Sequence, residues 1–134
     1  MNRVLLVSED RVELDALHSQ LTPHFDVRTA IGATEALYRV ERAKRKNQEY
    51  QVVCSTYELA EMSGPQLIAS LARYDRGTIG VLLTRERDHV RAFFRSEVHK
   101  DGALMNVLLM PVPPPLLLES IGSAARLAQF CQAS

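Results

Sequence analysis

Residues 52–65, VVCSTYELAEMSGP, decide the fold. The run 52–55 is aliphatic with no polar alternation, the pattern of a strand buried on both faces of a parallel sheet. Polarity then rises, and Ser63-Gly64-Pro65 opens a helical pattern carried by Leu67, Ile68 and Leu71. Proline costs little there, because the first N–H groups of a helix have no intrahelical acceptor. The same strand-then-helix unit recurs along the chain. Further aliphatic runs lie at 4–7, 25–29, 79–83 and 104–109. Between them the period is helical: Leu14, Leu17 and Leu21; then Leu37, Val40 and Ala43 after a turn at Gly32; then Val90, Phe94 and Val98. A fifth helix is expected from Pro113–Pro115 onward through Leu117, Ile121 and Leu127.

Five such alternations require right-handed βαβ crossovers with helices on both faces of the sheet. The economical solution is a doubly wound (βα)5 three-layer α/β sandwich with a parallel five-stranded sheet in order 2-1-3-4-5. Its functional crevice lies beyond the carboxyl ends of the strands, where the strand order reverses between the first and third. That singles out Ser8, Glu9 and Asp10 after strand one and Thr56 to Glu58 after strand three. Thr84 and Arg85 follow strand four, and Met110-Pro111 follows strand five.

Sixteen Lys and Arg balance sixteen Asp and Glu in 134 residues, so bulk charge favours neither nucleic acid nor an anionic membrane. The first ten residues lack the apolar core of a signal peptide, and Arg126 interrupts the longest C-terminal apolar stretch. Two cysteines, Cys54 and Cys131, fit structural thiols in a reducing compartment. The charged run 41–50, ERAKRKNQEY, is read as a solvated helix end rather than a binding patch. One domain over 1–134 is expected.

At the crevice positions the sequence resembles the receiver domain of two-component response regulators, over essentially the whole chain. The run VLLV followed by Ser8-Glu9-Asp10 matches the family's strand one and acidic residues, and Met62-Ser63-Gly64 sets the register after strand three. That register puts Thr56 where the family carries its phosphorylated Asp. Thr84 stands for the Thr or Ser after strand four. Met110-Pro111, preceded by Gly102-Ala103, stands for the Lys-Pro after strand five. The resemblance implies a flavodoxin-like fold, a cis bond before Pro111 and a cytoplasmic bacterial signalling protein, with 1–134 as the N-terminal domain ahead of an output domain.

The departures from that family are chemical. Receiver phosphotransfer uses a carboxylate nucleophile and a cation held by oxygens. Thr56 is neutral, and no His is expected among the crevice residues to activate it. Ser8 replaces an acid, which leaves Glu9 as a weak metal candidate beside the carbonyl of Glu58. Met110 replaces the Lys that would pair with phosphoryl oxygens, and Val107 replaces the strand-five aromatic. Arg85, where the family has a small residue, could obstruct the pocket or pair with Glu9 or Glu58.

The expected role is therefore phosphorylation-independent signalling through protein contacts, with no cofactor and no metal. The face expected to carry them is the fourth helix, fifth strand and fifth helix: Phe93 and Phe94, the stripe Arg87, Arg91 and Arg95, and Val107. The partner is an output domain, another protein or a second copy, with no membrane and no direct nucleic-acid contact. The alternative is a small-molecule or anion binder using Arg85, Thr56 and Thr84 in the crevice. An enzyme is not expected, since His18, His24, His89 and His99 fall on helices or turns away from the strand ends.

Overall fold

A computed structural model describes residues 1–74, 77–95 and 103–133, the side chains of 132 and 133 excepted. The chain alternates β1 (Arg3–Val7), α1 (Arg11–Leu21), β2 (Asp26–Ala30), α2 (Ala33–Arg45), β3 (Val52–Thr56), α3 (Gly64–Tyr74), β4 (Ile79–Thr84), α4 (Arg87–Arg95), β5 (Leu104–Leu109) and α5 (Pro114–Ala133). All strands are parallel, in the order β2-β1-β3-β4-β5. This is the doubly wound sheet the periodicity predicts. Among the described residues no helix is long and apolar enough to cross a membrane.

Alternation along the strands divides the interior into two cores. Val4, Leu6, Val52, Cys54, Val81 and Leu83 face α1 and α5, meeting Leu14, Leu21, Leu117 and Ile121. Leu5, Val7, Val53 and Leu82 face the other way, onto Ala36 and Val40 of α2 and Leu67, Ile68 and Leu71 of α3. Gly80 allows α3 to approach β4, since a Cβ there would lie 2.6 Å from Ile68. An irregularity between Gly80 and Val81 skips Met105, so Leu104 and Val107 both reach the second core.

Three expectations about which side chains face inward or outward need correction. On α4 Phe93, not Phe94, packs with Val90 on the second core, and Phe94 is 71% exposed. The two rings are adjacent on a helix and diverge by about 100°, so only one can turn inward. Val107 is 2% exposed and belongs to the core beneath α4 rather than to an outer face. On α5 Leu127 is exposed, and the buried stripe is Leu117, Ile121, Ala124, Ala125 and Ala128. Leu117, Ile121, Ala124 and Ala128 recur every three or four residues on the face turned to the sheet, and Leu127 falls outside that phase, at the rim. Val98, His99 and Gly102 lie outside the described residues. Cys131 is exposed, unlike buried Cys54, so only Cys54 serves as a core thiol.

Candidate functional site

Beyond the carboxyl ends of β1, β3, β4 and β5 lies an open cleft of about 310 Å³. It brings together all the residues predicted from the switch point except Pro111: Ser8, Glu9, Asp10, Thr56, Tyr57, Glu58, Thr84, Arg85 and Met110. It also contains Glu13 and Glu86.

On the β1 side the acidic residues are engaged by the protein itself. Asp10 caps α1, its Oδ1 accepting from the Val12 N–H at 3.0 Å and the Glu13 N–H at 3.2 Å. Both carboxylate oxygens of Glu9 accept from the Ala60 N–H at 3.0 Å, which ties β1 to the loop after β3. Ser8 is buried. Its hydroxyl accepts from the Asp10 N–H at 3.1 Å and donates to Glu13 at 3.3 Å.

On the β3 side Thr56 ends the strand, half-buried. α3 starts close behind it. A Cβ on Gly64 would fall 2.8 Å from the Thr56 carbonyl oxygen and 2.7 Å from Leu82, so any larger residue there would push the helix off the strand end. Ser63 and Gln66 cap that helix reciprocally, each accepting from the other's backbone N–H.

The β4 side departs most from expectation. Arg85 pairs with neither Glu9 nor Glu58; its Nη2 meets Glu13 Oε2 at 3.0 Å. α1 carries Glu13 back over the end of β1, so this carboxylate is the one within reach. His89 also belongs to the site, contrary to its expected place away from the strand ends. α4 begins three residues after β4, and its first turn aims the imidazole back at the crevice. Its Nδ1 lies 2.7 Å from Thr84 Oγ1, and its ring stacks on Tyr57 at 3.7 Å and 8°. Thr84 Oγ1 also accepts from the Glu86 N–H at 3.0 Å, so the hydroxyl is shared between that amide and the imidazole. The remaining imidazole nitrogen faces Glu58 at 3.9 Å.

His89 and Glu13 carried faint sequence signals. Glu13 stands three residues after a helix-capping Asp, and His89 falls in the first turn of a helix entered directly from the crevice. Tyr57 follows Thr56 and was included within the predicted loop, without its stacking role.

These donors do not fit a magnesium site. Ser8 and Thr56 offer neutral hydroxyls at two strand ends, one oxygen of Asp10 caps α1, Glu9 is shared with a backbone N–H and Glu13 is paired with Arg85, whereas a hard divalent cation needs several convergent anionic oxygens. Among the described residues no cluster of three His, Cys, Asp or Glu is placed to hold a metal. Cys54, beneath the site, has its thiol pushed up to about 12 by burial, with the charge of Glu13 adding to the effect, so it is no nucleophile.

No family model and no curated relative matches the sequence. Solved structures match over almost the whole chain. A signal receiver domain of an HD domain-containing protein from Pseudomonas fluorescens Pf-5 is 25% identical, with a TM-score of 0.81, covering 98% of this chain and 92% of that one. A response regulator receiver domain from Clostridium thermocellum is 20% identical with a TM-score of 0.82, covering 98% and 99%. An adenylate cyclase structure from Rhodopirellula baltica is 22% identical with a TM-score of 0.86, covering 99% and 94%. The chain has the fold of response-regulator receiver domains.

Proposed function

We propose that this receiver-fold domain signals through protein contacts without being phosphorylated, and that it is not itself an enzyme. The observation that carries the reading is Thr56 at the end of β3 in one crevice with Met110, where Ser8, Glu9, Asp10, Glu13, Thr84 and Arg85 are engaged by other groups of the protein. Acyl phosphate formation needs an ionised carboxylate, and Thr56 has none; Met110 offers a thioether where charge neutralisation needs a cation. Thr84 is held by His89 and Glu86, so its hydroxyl does not swing freely toward a ligand. The Glu13–Arg85 pair closes the same wall.

Five carboxylates, on Glu9, Asp10, Glu13, Glu58 and Glu86, line the cleft against one guanidinium. This weighs against the alternative of an anion-binding crevice. The surface that favours a protein partner is that of α4, β5 and α5, where Phe94 is exposed beside Arg87, Arg91 and Arg95. We place the domain in the cytoplasm, as a regulatory module joined to or meeting an output domain.

The test is direct. Incubation with acetyl phosphate, or with beryllofluoride and magnesium, is expected to leave intact mass and amide spectra unchanged, and Thr56→Asp alone is expected to remain unlabelled because Met110 still lacks charge. Saturable shifts centred on Thr56 in the unmodified protein would overturn the reading.

A further inference from the structure

A second cavity, of about 320 Å³, opens between α2 and the outer edge of the sheet, beside the amino-terminal ends of β1 and β3. Arg3, Arg28, Arg39, Arg42 and Lys46 line it, with Glu35 as the single carboxylate. Arg3 pairs in register with Asp26 and Leu5 with Arg28, so alternation puts Arg3 and Arg28 on the face turned to α2. Residues 39, 42 and 46 step by three and four and share a face of the helix, spread over about 10 Å.

Bringing five cations together from two strands and a helix costs mutual repulsion, and the carboxylates nearby offset only part of it. Asp26 lies 3.5 Å from both Arg3 and Arg28, and Glu35 lies 3.1 Å from Arg39. Among the described residues Arg42 and Lys46 form no ion pair. Basic residues in a last helical turn complement the helix dipole, which accounts for Arg42 but not for arginines arriving from β1 and β2. The Nε of Arg3 is closed to solvent without a hydrogen-bond partner, and its guanidinium lies 5.0 Å over the Tyr50 ring. Tyr38 presents a half-exposed ring on the same wall.

We infer that this cavity binds a soluble nucleoside polyphosphate, with Arg39, Arg42 and Lys46 on the phosphates and the base laid on Tyr38. Guanidinium groups match phosphate oxygens in a two-point fork, and the cations extend further than one phosphate reaches, so the ligand carries at least two. The cavity is at the small end of the range for ligand sites, which suits a nucleoside diphosphate better than a larger dinucleotide. The site stands apart from the crevice and does not depend on how the crevice is used.

Calorimetric titration of the full chain with inorganic pyrophosphate, ADP and GDP tests the proposal. Saturable binding is expected, tighter for a nucleotide than for pyrophosphate and weakening as salt rises. The double variant Arg42→Ala/Lys46→Ala is expected to lose at least tenfold in affinity. Tyr38→Ala is expected to remove the advantage of nucleotide over pyrophosphate, and Thr56→Val in the crevice to change nothing. Should the double variant melt early, Lys46→Ala alone supplies the same readout. Absence of saturable binding, binding indifferent to Arg42 and Lys46, binding lost in Thr56→Val, or binding confined to DNA or acidic peptide would each overturn it.

Discussion

Cys54 sits mid-strand between Leu6 of β1 and Val81 of β4, fully enclosed in the core facing α1 and α5. Burial disfavours its thiolate, and Glu13 adds repulsion. The folded thiol therefore keeps its proton to about 12 while the unfolded chain releases it near the ordinary value of 9.0. A raised pKa gives stability that is complete below the unfolded value and lost as pH climbs through the window from 9.0 to about 12. The expected steepest loss is about 1.4 kcal/mol per pH unit, read by denaturant unfolding as the difference from Cys54→Ala across that window. At neutral pH a thiol reagent is expected to leave Cys54 unmodified in the native protein and to label it on unfolding. Residue chemistry of this kind was legible early, because Cys inside an aliphatic run behaves as a small hydrophobe. The partners of Arg85 and the place of His89 were not, because reach across the crevice depends on where two helices begin.

Local sequence rules account for the elements. Asp10 caps α1 through the Val12 and Glu13 N–H groups, so Asp10→Ala is expected to cost about 1 kcal/mol in chemical denaturation, while Asp10→Asn, which caps equally well, is expected to stay near wild type. A metal-ligand role would instead make both substitutions abolish magnesium-dependent effects. Asp-x-x-Glu before α1 and Ser-x-x-Gln before α3 are readable as helix starts from spacing alone. Helix faces were less secure. α4 alternates charge and aromatic side chains over nine residues, and its period admits either Phe93 or Phe94 inward; the surface of β5 selects Phe93. On α5 the apolar content is so high that no stripe stands out, and the sheet selects the alanines for its contact.

Two cores on opposite faces of one sheet hold the molecule together, and among the described residues α4 is the helix that buries no residue completely. Phe93 ties it down, so Phe93→Ala is expected to lower stability by roughly 1–2 kcal/mol in thermal or denaturant unfolding, with little effect on self-association. Phe94→Ala with Arg91→Glu is expected to do the reverse. Unfolding should be unchanged, while light scattering over a wide concentration range, or capture of an output partner, should weaken. Loss of both properties in both variants would count against α4 as a contact face.

By itself, the sequence determined the five βα units, their strand order, and the absence of a carboxylate at Thr56 and a cation at Met110. These follow from period, turn residues and side-chain identity, all local in the chain. Only the tertiary structure decided that Glu13 takes Arg85, that His89 stacks on Tyr57 and holds Thr84, and that Arg3 and Arg28 join the basic face of α2. Each of those pairs residues far apart in sequence or on separate elements. Side-chain reach of a few ångströms is set by strand register and helix start, which spacing along one chain does not encode.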